Sequence, residues 1–191
     1  MILVVGLGNP GPRYADTRHN IGFRLVDRLE GGRSAGFRER FNGLYASIDL
    51  SGTPVGLLKP TTFMNESGKS VQPAMQFFKL KPAELLIVHD ELDLPFGDVR
   101  LKQGGGEAGH RGLKSIAQAV GSDTLRLRLG IGRPPPEFRG AVADFVLQAF
   151  APAERAELDG IIDRAEAAVT LVVTRGISAA MNAVNQRAKS P

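Results

Sequence analysis

Five polar segments interrupt otherwise apolar stretches, and each carries a side chain able to move a proton or to hold an amide. Asn9 lies in Gly6-Leu7-Gly8-Asn9-Pro10-Gly11, His19 in Thr17-Arg18-His19-Asn20, and Asn65 closes Lys59-Pro60-Thr61-Thr62-Phe63-Met64-Asn65. Asp90 lies in His89-Asp90-Glu91-Leu92-Asp93-Leu94-Pro95, and His110 follows Gly104-Gly105-Gly106 at a short remove. Loops on a rigid scaffold are where binding and catalysis concentrate. The chain has no cysteine and no Gly-x-Ser-x-Gly elbow, so a thiol or serine nucleophile has no support. No His-x-x-x-His or glutamate-rich pattern points to a metal. What remains for hydrolysis is a water activated by a histidine that a carboxylate orients. Asparagine and backbone N–H groups would then hold the oxyanion.

Taken singly, these residues have plainer readings. His19 precedes a helix and could be a surface or capping histidine. His89 closes an apolar strand and reads as structural. Asp90, expected just past the C-terminal end of that strand, is where α/β sheets place functional groups, or it is a turn aspartate. His110 lies near a helix start, where the helix end favours the neutral ring; capping and substrate contact remain open for it. Gly6-x-Gly8-x-x-Gly11 matches a dinucleotide fingerprint, but no helix opens from these glycines, since Pro10 and Pro12 intervene. A dinucleotide-binding oxidoreductase therefore rests on the glycines alone, and a tight Asn-Pro-Gly turn explains them as well.

The elements that must position these groups follow from periodicity. Ile2 to Val5 is a short buried strand. Ile21, Phe23, Leu25, Val26 and Leu29 recur at helical spacing, with Asn20 as N-cap and Gly31-Gly32 as stop. A charged loop is expected to about Asn42. Leu44 to Leu50 and Val55 to Leu58 form a hairpin around Ser51-Gly52-Thr53-Pro54. Val71 to Phe78 suggests a helix with Pro73 inside it. Leu85 to His89 is a strand, and Val99 to Lys102 a more polar one near an edge. A helix from about Leu113 to Val120 and a strand from Leu125 to Leu129 follow. One long helix is expected from Ala153 to Val173, then a short one to about Val184, with residues 185–191 frayed. The order β-α-β-β-α-β-β-α-β-α-α implies one mixed sheet with helices on both faces.

At 191 residues, 42% hydrophobic and 23% charged, the chain suits a single domain spanning 1–191. No apolar run is long enough to cross a bilayer, and the N-terminus has neither a basic n-region nor a long h-region. The chain thus reads as soluble and cytoplasmic. Net charge is +4. Arg100, Lys102, Arg111, Lys114, Arg126, Arg128 and Arg133 fall within one third of the chain. They are either solvated faces or a polyanion-binding surface.

Together the segments resemble the bacterial peptidyl-tRNA hydrolases over nearly the whole chain, from Val4-Val5-Gly6-Leu7-Gly8-Asn9-Pro10-Gly11 to Ala180-Met181-Asn182. Thr17-Arg18-His19-Asn20-x-Gly22, Pro60-Thr61-Thr62-Phe63-Met64-Asn65-x-Ser67-Gly68 and the His89 to Pro95 segment carry the likeness in combination. The resemblance implies an α/β/α sandwich on a twisted mixed sheet, monomeric and without metal or cofactor. It implies cleavage of the ester joining a peptide to the 3′ ribose of tRNA. His19 would be the base, Asp90 its orienting partner, and Asn9 and Asn65 would hold substrate and water. Tyr14, Phe63 and Met64 would line the cleft, His110 would lie beside the tRNA end, and Lys102 and Arg128 would meet tRNA phosphate. The family often has asparagine where Arg111 follows His110, so no catalytic role is carried over to Arg111. A relative of the same fold could instead serve as an RNA-binding factor without ester cleavage; the intact Asn9, His19, Asn65 and Asp90 set favours the enzyme.

Overall fold

A computed structural model describes residues 1–186. Its centre is one seven-stranded sheet in the order β2-β3-β4-β1-β5-β7-β6. The strands are β1 (Ile2–Gly6), β2 (Arg38–Arg40), β3 (Gly43–Leu50), β4 (Thr53–Pro60), β5 (Leu85–Glu91), β6 (Val99–Gln103) and β7 (Leu125–Gly130). β1 pairs in parallel with β4 and β5, and β5 with β7. β3 runs antiparallel to β2 and β4, and β6 antiparallel to β7. The mixed sheet expected from the sequence is therefore present, with Val99 to Gln103 on its edge.

The helices are α1 (Ile21–Glu30), α2 (Gly68–Phe78), α3 (Arg111–Val120), α4 (Val142–Val146), α5 (Pro152–Arg155), α6 (Leu158–Arg175) and α7 (Ile177–Gln186). Strand alternation divides them between two faces. Val4, Leu86 and Val88 join a cluster with Leu25, Ile162 and Val169 of α1 and α6. Leu3, Val5, Leu85 and Ile87 point the other way, to Val71 of α2 and Ile116 of α3. β1 and β5 are covered on both faces, which is why they read as continuous apolar runs.

Several boundaries differ from the sequence expectation. The loop expected over residues 31–42 contains β2, whose Arg38-Glu39-Arg40 is exposed throughout and so shows no apolar alternation. A two-residue turn with both φ positive, Phe41 at 56° and Asn42 at 51°, joins it to β3; such turns match the twist of a hairpin. The long helix expected from Ala153 is split into α5 and α6. The short α4 was not anticipated, since five residues carry too little periodicity. Pro73 lies inside α2 and cannot bond the Lys69 carbonyl; the Asn42 side chain donates to it instead at 3.1 Å. Of the expected frayed tail, Asn185 and Gln186 belong to α7. Asn185 bonds both backbone groups of Leu101 on the edge strand, at 2.9 Å each. The remainder, 187–191, lies outside the described residues.

Candidate active site

The chain builds β2, β3 and β4 on one side of β1, then crosses to build β5 on the other. The C-terminal ends of β1 and β5 thus flank the switch point of the sheet, where α/β proteins open a crevice. Asn9 follows β1, and Asp90 lies within β5, one residue before its end rather than past it. Asp90 shares the face of Leu86 and Val88, toward α1. His19 sits in a 3-10 turn, Arg18–Asn20, that leads directly into α1. Two glycines let α1 come close. A Cβ at Gly6 would collide with the Gly22 carbonyl, and one at Gly22 would lie 2.5 Å from the Val88 carbonyl. A Cβ at Gly8 would meet the Phe23 ring. Close helix packing, not a dinucleotide, accounts for Gly6 and Gly8.

His19 Nδ1 lies 2.9 and 2.8 Å from the two carboxylate oxygens of Asp90. Both residues are buried, at 9% and 3% exposed. A carboxylate only accepts, so Nδ1 carries the proton and Nε2 keeps its lone pair. Burial opposes charging of His19, but the Asp90 charge and hydrogen bond outweigh it and raise its pKa above the usual 6.5; Arg111 works against them. Burial likewise resists ionisation of Asp90, yet His19 and His110 hold its carboxyl well below the usual range.

His110 has two tasks in the structure. Its Nδ1 accepts the N–H groups of Gly112 and Leu113 at the start of α3, at 3.2 and 3.3 Å. Its proton is therefore on Nε2, which donates to Asp90 Oδ1 at 2.9 Å. His110 is thereby fixed against Asp90, with its ring centre 4.9 Å from that of His19. These three residues also form the one group among the described residues close enough to share a cation, within 4.8 Å. Their hydrogen bonds do not suit one, because both His110 nitrogens are engaged and the nitrogen facing Asp90 is a donor. His89, read from the sequence as structural, is 2% exposed; its Nδ1 bonds the Asp90 carbonyl at 2.9 Å, its Nε2 has no partner among the described residues, and burial pushes its pKa down to about 3.

Asn9 is fixed from three sides. Its N–H donates to Asn20 Oδ1 and its carbonyl accepts from Asn20 Nδ2, each at 2.9 Å. Its own Oδ1 accepts the Met64 N–H at 2.8 Å, which leaves Nδ2 without an acceptor among the described residues. Asn20 stands at the N-cap position of α1 but makes no capping bond; its side chain is spent on Asn9 instead. Asn65 is exposed in a 3-10 turn spanning Met64–Glu66. Phe63 is 59% exposed, while the Met64 side chain is 4% exposed in the core. Tyr14 is half-buried, with the Arg13 guanidinium 5.5 Å from its ring centre. Arg111 is exposed.

On the far side of Asp90 a cavity of about 370 Å³ is lined by His89, Glu91, Lys102, Glu107, Arg126 and Arg128, among others. Arg128 donates to Glu91 at 3.0 Å, and exposed Lys102 has no ion pair among the described residues. The structure thus joins His19, Asp90 and His110 by hydrogen bonds, ties Asn9 to Asn20, next to His19 in the chain, and sets Lys102 and Arg128 in the lining of the cavity. Sequence reasoning passed over Arg18. Its buried guanidinium packs 4.1 Å from the Phe145 ring centre and bonds Glu154 at 2.9 Å, tying the His19 turn to α4 and α5. A buried arginine looks like an exposed one in sequence, so only its place in the Thr17 to Gly22 segment marked it.

The family model described as peptidyl-tRNA hydrolase matches residues 3–191. A relative of that name from Sorangium cellulosum is 56% identical over 191 residues, covering 99% of this chain and 86% of its own. One from Mycolicibacterium vanbaalenii is 49% identical, with 96% of each chain covered. The crystal structure of peptidyl-tRNA hydrolase from Acinetobacter baumannii superposes with a TM-score of 0.89 at 42% identity, covering 97% of this chain and 94% of that one. With a fold, a family model and full-length relatives in agreement, this chain belongs to the peptidyl-tRNA hydrolase family.

Proposed function

We propose that this chain hydrolyses the ester between a peptide and the 3′ ribose of tRNA, with His19 as general base. The observation that carries the mechanism is the grip of both Asp90 oxygens on His19 Nδ1, at 2.9 and 2.8 Å. It fixes the tautomer that leaves Nε2 free to take a proton from water. The water oxygen attacks the ester carbon, and the carbonyl electrons move onto its oxygen. Asp90 stabilises the imidazolium that forms. The tetrahedral species then collapses, the bond to the ribose 3′ oxygen breaks, and that oxygen takes the proton from Nε2. Free tRNA and a peptide acid result, with no covalent enzyme intermediate.

Asn9 supplies Nδ2 as a donor to the developing oxyanion, its Oδ1 being already committed to Met64. Asn65, exposed beside it, holds the water or the peptide end. Tyr14 and Phe63 line the way to the ester, and Met64 contributes mainly through its N–H. His110 acts through Asp90, by fixing the carboxylate. Lys102 and Arg128 meet backbone phosphate, which explains binding of a large polyanion without base reading. All these groups come from one chain, so a monomer suffices. The substrate arises from translation, which puts the site of action in the cytoplasm. No helix among the described residues is long and apolar enough to cross a membrane.

Release of free tRNA from an N-blocked aminoacyl-tRNA tests this reading. Wild type cleaves, and His19→Ala loses about 10²–10⁴-fold in kcat while keeping its fold and tRNA affinity. Undiminished cleavage by the variant would remove His19 as base. RNA binding without cleavage by the wild type would instead favour a binding factor on this fold.

A further inference from the structure

Arg126 lies on β7 directly opposite Lys102 on β6, so the two side chains share a face. Their surroundings differ sharply. Lys102 is exposed, whereas Arg126 is 3% exposed and has no carboxylate at ion-pair distance among the described residues. Its guanidinium donates instead to two successive carbonyls, from Nη1 to Gly106 and from Nη2 to Gly105. Glu107 and Glu91 act on its charge only through space, and holding a buried cation by direct bonds to neutral carbonyls is costly. A fork spanning two adjacent peptide groups is something the rigid guanidinium can make and a single ammonium cannot.

What the fork holds is the floor under Lys102. Gly105 has φ of +102°, and a Cβ there would lie 2.6 Å from Lys102 Nζ. The Lys102 ammonium therefore rests directly on the backbone that Arg126 pins. The far end of this loop is secured separately: His110 caps α3 and bonds Asp90. Disturbing Gly105 and Gly106 should move Lys102 while leaving the His19–Asp90 pair in place.

We propose that Arg126 is a positioning residue for substrate capture, fixing Gly105 and Gly106 so that the Lys102 ammonium stands where tRNA phosphate arrives. This rests on the reading of Lys102 as a phosphate contact. Arg126 itself touches no substrate.

Steady-state hydrolysis of N-blocked aminoacyl-tRNA over a salt series tests it with Arg126→Lys, Lys102→Ala and the double variant. Arg126→Lys keeps the charge and loses the fork. Its KM should rise several-fold, to the level of Lys102→Ala, with kcat within about twofold of wild type. The slope of log KM against log salt should flatten by roughly one contact's worth, about 0.7–0.9, in each single variant. In the Lys102→Ala background, Arg126→Lys should add nothing. If Lys102→Ala raises KM and Arg126→Lys does not, the positioning role is overturned. Additive effects in the double variant would also overturn it, making Arg126 an independent contact. If Lys102→Ala itself leaves KM and slope unchanged, the phosphate reading fails and the inference with it. Should Arg126→Lys misfold, Gly105→Ala displaces the Lys102 ammonium by another route, and the same rise in KM at unchanged kcat is expected.

Discussion

Asn9 shows how a single amide is divided between structure and chemistry. Its Oδ1 holds the Met64 N–H at 2.8 Å, and its Nδ2 is left for substrate. Asn9→Asp separates the two tasks, because it keeps the acceptor and removes the donor. The new carboxylate is buried, so we expect some loss of stability and a fall in kcat of about 10²–10³-fold, the usual loss when one oxyanion donor is removed. Activity near wild type, measured at saturating substrate, would take Asn9 out of the oxyanion site. The residue scale was only partly legible in the sequence. His19 and Asp90 could be named from the resemblance, but not the hydrogen bonds that make Nε2 the reactive nitrogen. For His110, capping and function looked like alternatives, and the structure makes them one arrangement: a ring that caps α3 through Nδ1 is thereby compelled to donate from Nε2.

Among the elements, α1 matters most because it carries His19 on its leading turn. Its approach to β1 and β5 depends on Gly22, where a Cβ would lie 2.5 Å from the Val88 carbonyl and 2.6 Å from the Leu7 nitrogen. Gly22→Ala is therefore an overpacking substitution with backbone on the receiving side. It should cost about 1–3 kcal/mol and lower Tm by roughly 2–4 °C for each kcal/mol in a chain of this size. Thermal unfolding followed by circular dichroism measures this directly, and an unchanged Tm would show that α1 can shift freely. Strong periodicity made α1, β1 and β5 readable in advance. β2 and α4 were not, since an exposed three-residue strand and a five-residue helix owe their form to partners distant in sequence. Arg18, joined to α4 and α5 by its guanidinium, belongs to the same class of long-range dependence.

For the whole molecule, the net charge of +4 says less than its distribution. Among the basic residues clustered between 100 and 133, Arg128 pairs with Glu91, Arg133 with Asp93 and Arg100 with Asp98. Lys102, Arg111 and Lys114 are exposed and have no ion pair among the described residues. With Arg128, which would exchange Glu91 for phosphate on binding, these make four contacts, and at roughly 0.7 each they predict that log kcat/KM falls with log salt at a slope of about −3. A slope near zero would mean that tRNA is held by other means. The sequence showed the cluster but not which members were already neutralised, because ion pairing depends on strands brought together only by the fold.

The most direct test of the account is the pH profile of kcat/KM for wild type and Asp90→Asn, side by side. Asp90 raises the His19 pKa against the effect of burial, and only neutral His19 can act as base. Wild-type activity should therefore fall on acidification through a limb centred above 6.5. In Asp90→Asn the raising charge is gone and burial prevails, so the limb moves to lower pH while the plateau drops by as much as about 10⁴-fold. Superimposable limbs in the two proteins would contradict the claim that Asp90 governs the proton on His19.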